Sequence, residues 1–292
     1  MAIFDSVAEL LQTCREAEMP LWEAVMHFSA KETGISRELS WEKMSQRLRA
    51  MQAADRSYDP CLRSRSGLSG GDGGKLKDYF DSGKSISGSF IGEILAGAVR
   101  MGECNACMHR IVAAPTAGSC GVIPAVLLPY ARHHGISEEE LVKALYVTAG
   151  FGSVIANRAS VSGAEAGCQA EIGSASAMAA AALVYLHGGT EEQMAHAAAI
   201  AIKNLLGLVC DPVAGLVEVP CVKRNAAGAM NALTAAELAL AGVESRIPTD
   251  EVIDAMQIVG ESLPTALRET GKGGVAATPT AIRFRKEFFG EE

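Results

Sequence analysis

Three segments rich in alanine constrain the fold more than anything else in this chain: Ala177 to Leu186, His196 to Leu206 and Asn225 to Ala241. Each carries apolar residues on nearly every side at helical spacing, the pattern of helices buried all round. Alanine has the highest helix propensity and almost no side-chain volume, so such helices can approach one another closely. The expectation is an all-α protein: a compact helical domain built on buried alanine-rich helices.

The rest of the sequence agrees. Apolar residues recur at helical spacing through Ile3 to Ala17, Leu21 to Ser29 and Leu39 to Ala54, with Gly34 stopping the second run. Ser137 with Glu140 and Thr190 with Gln193 form capping-box patterns, each predicting a helix start. Between Ser64 and Ser89 glycine and serine dominate, which predicts a loop or hinge and a boundary near residue 65, with a small helical region at 1–65 and a larger region at 66–292. The best strand candidate is the short run Arg110 to Ala114.

With 292 residues and a net charge of −8, the chain can bury a large core and lacks the basic block that a nucleic-acid or anionic-membrane surface needs. Nearly uncharged stretches are too short to span a bilayer. The opening residues show no signal-peptide pattern, so the eight cysteines are read as reduced thiols in a cytoplasmic protein.

The glycine-rich stretches fail as phosphate loops. The glycine required five positions before a Gly-Lys pair is Asp78 ahead of Gly83-Lys84, and Ser69 ahead of Gly74-Lys75. APTAGSCGVIPA is more specific, because Thr116, Gly118 and Gly121 lie just before an expected helix. Open backbone N–H groups and a helix N-terminus there suit a small carboxylate, although ordinary helix-entry glycines read the same way. TGKGG, with Lys272 and Gly273, is a second anion site or a helix cap. Cys104 and Cys107 make a CxxC next to His109, but no second pair completes a zinc site and no thioredoxin-like pattern surrounds it.

Cys168, Cys210 and Cys221 have a different setting. Cys168 ends SVSGAEAGC at an expected helix start, Cys210 lies in LGLVCDPVAG where Pro212 and Gly215 turn the chain, and Cys221 follows Pro220 at another helix start. A helix N-terminus favours thiolate, as a metal ligand requires. Three thiolates can hold an iron-sulfur cube and leave one iron without a protein ligand. Buried unpaired cysteines in a core fit the spacing as well.

APTAGSCGVIPAVL, SGAEAGCQAEIGSASAMAAAAL, LGLVCDPVAGLVEVPCVKRNA and TGKGGVAATPTA, in that order, resemble the iron-sulfur-dependent bacterial L-serine dehydratases, specifically the α chain of the two-chain form. The resemblance covers the chain from about Gly88 onward. It implies a [4Fe-4S] cluster on Cys168, Cys210 and Cys221, conversion of L-serine to pyruvate and ammonia, and a role in amino-acid breakdown feeding gluconeogenesis. It also implies that the open iron acts as a Lewis acid on the serine hydroxyl while the glycine-rich loops hold the carboxylate.

Two departures accompany it. Some fused members end in a cysteine, whereas this sequence ends RKEFFGEE; the family's Ser-Ser-His-Thr segment, which carries a histidine proposed as base, is absent. His27, His109, His133, His134, His187 and His196 lie in or beside ordinary helical runs. The base is therefore expected on a separate β chain. Competing readings are a PLP-dependent dehydratase, which the helical pattern disfavours, a cluster-dependent cysteine desulfidase, and a non-enzymatic helical module with structural zinc.

Overall fold

The computed structural model describes residues 4–290. Thirteen α-helices occur among them: α1 (Val7–Ala17), α2 (Leu21–Thr33), α3 (Arg37–Arg56), α4 (Asp72–Asp81), α5 (Gly88–Ala106), α6 (Val122–His134), α7 (Glu138–Arg158), α8 (Gly163–Ala166), α9 (Ser174–Leu186), α10 (Glu191–Lys203), α11 (Cys221–Leu240), α12 (Thr249–Ser262) and α13 (Pro279–Phe289). The fold is all-α.

Helix α9 is the axis of the molecule. Every residue from Ser174 to Val184 is buried, and α6, α7, α10 and α11 pack around it. Burial contributes only about 0.8 kcal/mol per methyl-sized group. The gain from alanine is proximity: backbones approach closely enough for polar side chains to bridge them. Ser176 donates to Gly228 O at 2.9 Å, while Asn231 reaches both Ser176 Oγ at 2.8 Å and Ala201 O at 2.9 Å, tying α9, α10 and α11 together. The alanine-rich segments form helices as expected, though α10 stops at Lys203, short of Leu206.

Helices α1 to α3 share this core, chiefly by packing on α7. Trp41 stacks on Tyr146 and meets Trp22 edge-on, and the Ser40 and Tyr146 hydroxyls pair at 2.8 Å. Gly34 ends α2 in the left-handed conformation, at φ 68°. Thr190 and Gln193 form the full reciprocal capping box; Ser137 accepts the Glu140 N–H and starts α7.

Two expectations are corrected. The Gly/Ser stretch is not loop throughout: it contains α4, and α5 begins inside it at Gly88. Helix α4 exists because buried Glu103 of α5 caps it, accepting the N–H groups of Gly70, Asp72 and Gly73 at 3.2, 2.8 and 3.1 Å and the Tyr58 hydroxyl at 2.5 Å. The run Arg110 to Ala114 forms no strand; it is irregular chain with Val112 and Ala114 laid against the core, because no neighbouring strand offers an edge. Among the described residues only an isolated parallel bridge between Cys210 and Arg268 is β-like. No helix there is long and apolar enough to cross a membrane.

Candidate active site

Cys168 lies between α8 and a single π-helical turn, Gln169–Gly173, that runs into α9. Such turns carry one extra residue and recur at functional sites. This one is fixed by buried Gln169, whose amide donates to Met256 O at 2.9 Å and accepts from Gly207 N–H at 2.9 Å. Cys210 occupies the bridge to Arg268, donating its N–H to Leu267 O at 2.9 Å and accepting the Glu269 N–H at 2.7 Å. Cys221 opens α11, directly after the cis Val219-Pro220 bond.

The three thiols are free and buried, and from these three segments Cys168 lies near enough to act on both Cys210 and Cys221. Cys210 donates to Cys168, which holds the Cys168 thiol below its ordinary range against the opposing effect of burial; Arg224 reinforces this. The Cys210 thiol is pushed up for the same reason, as the donor of that bond. Burial, with the Cys168 charge behind it, pushes Cys221 up to about 12. A cation that favours thiolate lies at hand: Arg224, one turn along α11 from Cys221.

A carboxyl group adjoins the thiols. Glu171, on the π turn, accepts the Thr116 hydroxyl at 2.7 Å. Burial raises its pKa and the Thr116 bond opposes that, with Glu269 adding repulsion. Gly163 permits the approach: a Cβ there would stand 2.7 Å from Glu171 Oε2 and 3.0 Å from Cys210 Sγ.

Thr116 and Gly118 therefore stand at the site, Gly118 facing the Glu171 carboxyl. Gly121 does not present a free N–H, since Asn225 Oδ1 accepts it at 2.8 Å; a Cβ there would meet Ala98 O at 2.6 Å. Asn225 also donates to Gly118 O at 2.8 Å and Cys221 O at 3.0 Å, fastening the APTAGSCG loop to the turn that carries Cys221. Lys272 is exposed on a turn that lies along the Cys210 segment, where Gly271 packs on Gly215 and Gly273 on Ala266.

Cys104 and Cys107 are elsewhere, at the end of α5, where burial pushes Cys104 up to about 11. Among the described residues no group of three His, Cys, Asp or Glu side chains is arranged to hold a single metal ion. The donor set of Cys168, Cys210 and Cys221 instead suits an iron-sulfur cluster, which takes thiolates on separate irons, and Arg224 offsets their charge. A groove of about 470 Å³ between α2, α3 and α7 is lined mainly by apolar residues and meets the site only through the segment leading into Thr116.

Residues 16–276 match the family described as serine dehydratase alpha chain. This chain belongs to that family. The serine dehydratase alpha chain family spans most of the molecule, including all three thiols and Glu171, and ends just before α13. A probable L-serine dehydratase alpha chain of Bacillus subtilis is 50% identical over 288 residues, covering 99% of this chain and 96% of the relative. The L-serine dehydratase alpha chain of Peptoniphilus asaccharolyticus is 43% identical over 290 residues, 99% of each. An L-serine dehydratase of Streptomyces coelicolor is 44% identical over 181 residues, 61% of this chain but 40% of that longer protein.

Glu171, Arg224, Asp211 and Asn225 escaped the sequence reading. The available signal was spacing: Glu171 and Arg224 each stand three residues after a cysteine, in CQAE and CVKR.

Proposed function

We propose that this chain is the α chain of a two-chain L-serine dehydratase, a lyase that converts L-serine to pyruvate and ammonia in the cytoplasm. Cys168, Cys210 and Cys221 hold its [4Fe-4S] cluster. The observation that carries the reading is the convergence of three buried thiols beside one guanidinium, in a chain whose full-length relatives are named for this reaction. When bound, the cluster supplies an iron without a protein ligand as Lewis acid for the serine hydroxyl.

The chain's own residues do the rest of the holding. Thr116 and Gly118 border the serine site at Glu171 and receive the substrate from the α6 side. Gly121 belongs to the same loop but serves it by close packing, its N–H being committed to Asn225. Lys272 and Gly273 close the opposite side, with the Lys272 ammonium drawing in the carboxylate. The base that removes the α-proton comes from a β chain, a partner consistent with the name alpha chain in the family and its relatives. All these residues fall in region 66–292, with region 1–65 buttressing α7.

Anaerobic purification, with iron and sulfide analysis and a serine-deamination assay with and without the β chain, tests this. The expected result is four irons and four sulfides per chain, activity only with the β chain, and loss of activity in air. Zinc in place of iron and sulfide, or turnover of cysteine in preference to serine under the same conditions, overturns it.

A further inference from the structure

We infer that Arg224 is the positioning residue of the thiol site, a single guanidinium that fastens the cysteine-bearing segments together and sets the charge around them. The inference rests on the cluster reading above for its second half only.

Arg224 brackets Cys210. Nη1 donates to Val209 O at 2.7 Å and Nη2 to Asp211 Oδ1 at 2.8 Å, so the residues on both sides of the cysteine are held by one planar group. The Arg224 charge also acts on the Cys168 thiol, and its own backbone belongs to the helix that Cys221 opens. One residue thus ties the Cys210 segment to the helix that Cys221 opens, with its charge bearing on Cys168.

The tie extends one step further. The second oxygen of Asp211 accepts the Val275 N–H at 2.7 Å, and Gly274, at φ +58°, packs so tightly that a Cβ would lie 2.3 Å from it. Asp211 is 4% exposed and Arg224 16%, so neither charge is left to water. The TGKGG turn is therefore held to the Cys210 segment through the same ion pair.

Lysine cannot reproduce this. A guanidinium offers several N–H groups in a rigid fork, whereas an ammonium on a flexible stem is a point charge that keeps the sign and loses the bracket. The two functions of Arg224 are separable by substitution: Arg224→Lys removes the clamp and keeps the charge, and Arg224→Gln removes both.

The test uses the full chain in two arms. In the cluster-free, reduced protein, iodoacetamide alkylation of Cys210 and hydrogen exchange across 209–212 and 268–275 are followed by mass spectrometry. Both variants are expected to alkylate Cys210 at least about tenfold faster, with faster exchange in those two segments and unchanged exchange in α9. In the reconstituted chain the reduction potential of the cluster is measured. Arg224→Lys keeps the wild-type potential, while Arg224→Gln shifts it to a more negative value, a change that a purely structural role does not produce.

Wild-type alkylation and exchange rates in both variants overturn the clamp, and equal potentials in Arg224→Gln and wild type overturn the charge role. If Arg224→Gln does not fold, Asp211→Asn, which keeps the shape, must show the same loosening at 268–275. Failure of the wild-type chain to take up iron and sulfide overturns the cofactor reading alone, and the alkylation arm still decides the clamp.

Discussion

At the first turn of α10, burial raises the Glu191 carboxyl above its ordinary range, and repulsion from Glu192 adds to it. Between the ordinary and raised values the folded chain keeps a proton that the unfolded chain gives up, so this group's stabilising contribution falls as pH rises through that window. Glu191→Gln is expected to match the wild type below about pH 4 and exceed it at neutral pH, as read by urea unfolding at both. Gly121 poses a steric demand instead. With a Cβ 2.6 Å from Ala98 O, Gly121→Ala should cost about 1–3 kcal/mol and lower the melting temperature. At this scale turn and cap residues singled out the three cysteines, but they fitted buried core thiols equally well, and only the family resemblance implied a shared role. Glu171 was not, because a glutamate near a helix start is ordinary and the hydroxyl that bonds it lies 55 residues away.

Among the elements, the helices with strong apolar periodicity or clear caps could be read directly, and α4 could not. Seven of its ten residues are glycine, lysine or aspartate, it lies within a Gly/Ser-rich tract, and its N-terminal N–H groups are satisfied by Glu103, about 30 residues later in the chain. A cap supplied by tertiary structure leaves no local trace. Glu103→Ala strips the acceptor from three buried or half-buried N–H groups and the Tyr58 hydroxyl; the expected cost is about 3 kcal/mol, concentrated in α4. Hydrogen exchange over Asp72–Asp81 should rise well before the rest of the chain responds. The Arg110 to Ala114 run failed in the opposite way: its composition suits a strand, but pairing is a property of neighbours that one segment does not encode.

For the molecule as a whole, the buried alanine helices announced the architecture, because few folds other than a close-packed bundle can bury helices that are apolar on every face. The same closeness makes the axis intolerant of volume. Ala180 is fully buried in α9, and Ala180→Leu should destabilise by about 1–3 kcal/mol or more, seen as an earlier urea midpoint with an unchanged slope. The site was legible only in part, since its cohesion comes from pairings across long stretches of sequence. The contact between Asp211 and Val275 spans 64 residues. During synthesis at about 5–20 residues per second, that stretch takes roughly 3 to 13 s to emerge after Asp211. Throughout that interval the nascent chain holds its cysteines without the turn that backs Cys210, so the thiol site is completed only as the last helices are made.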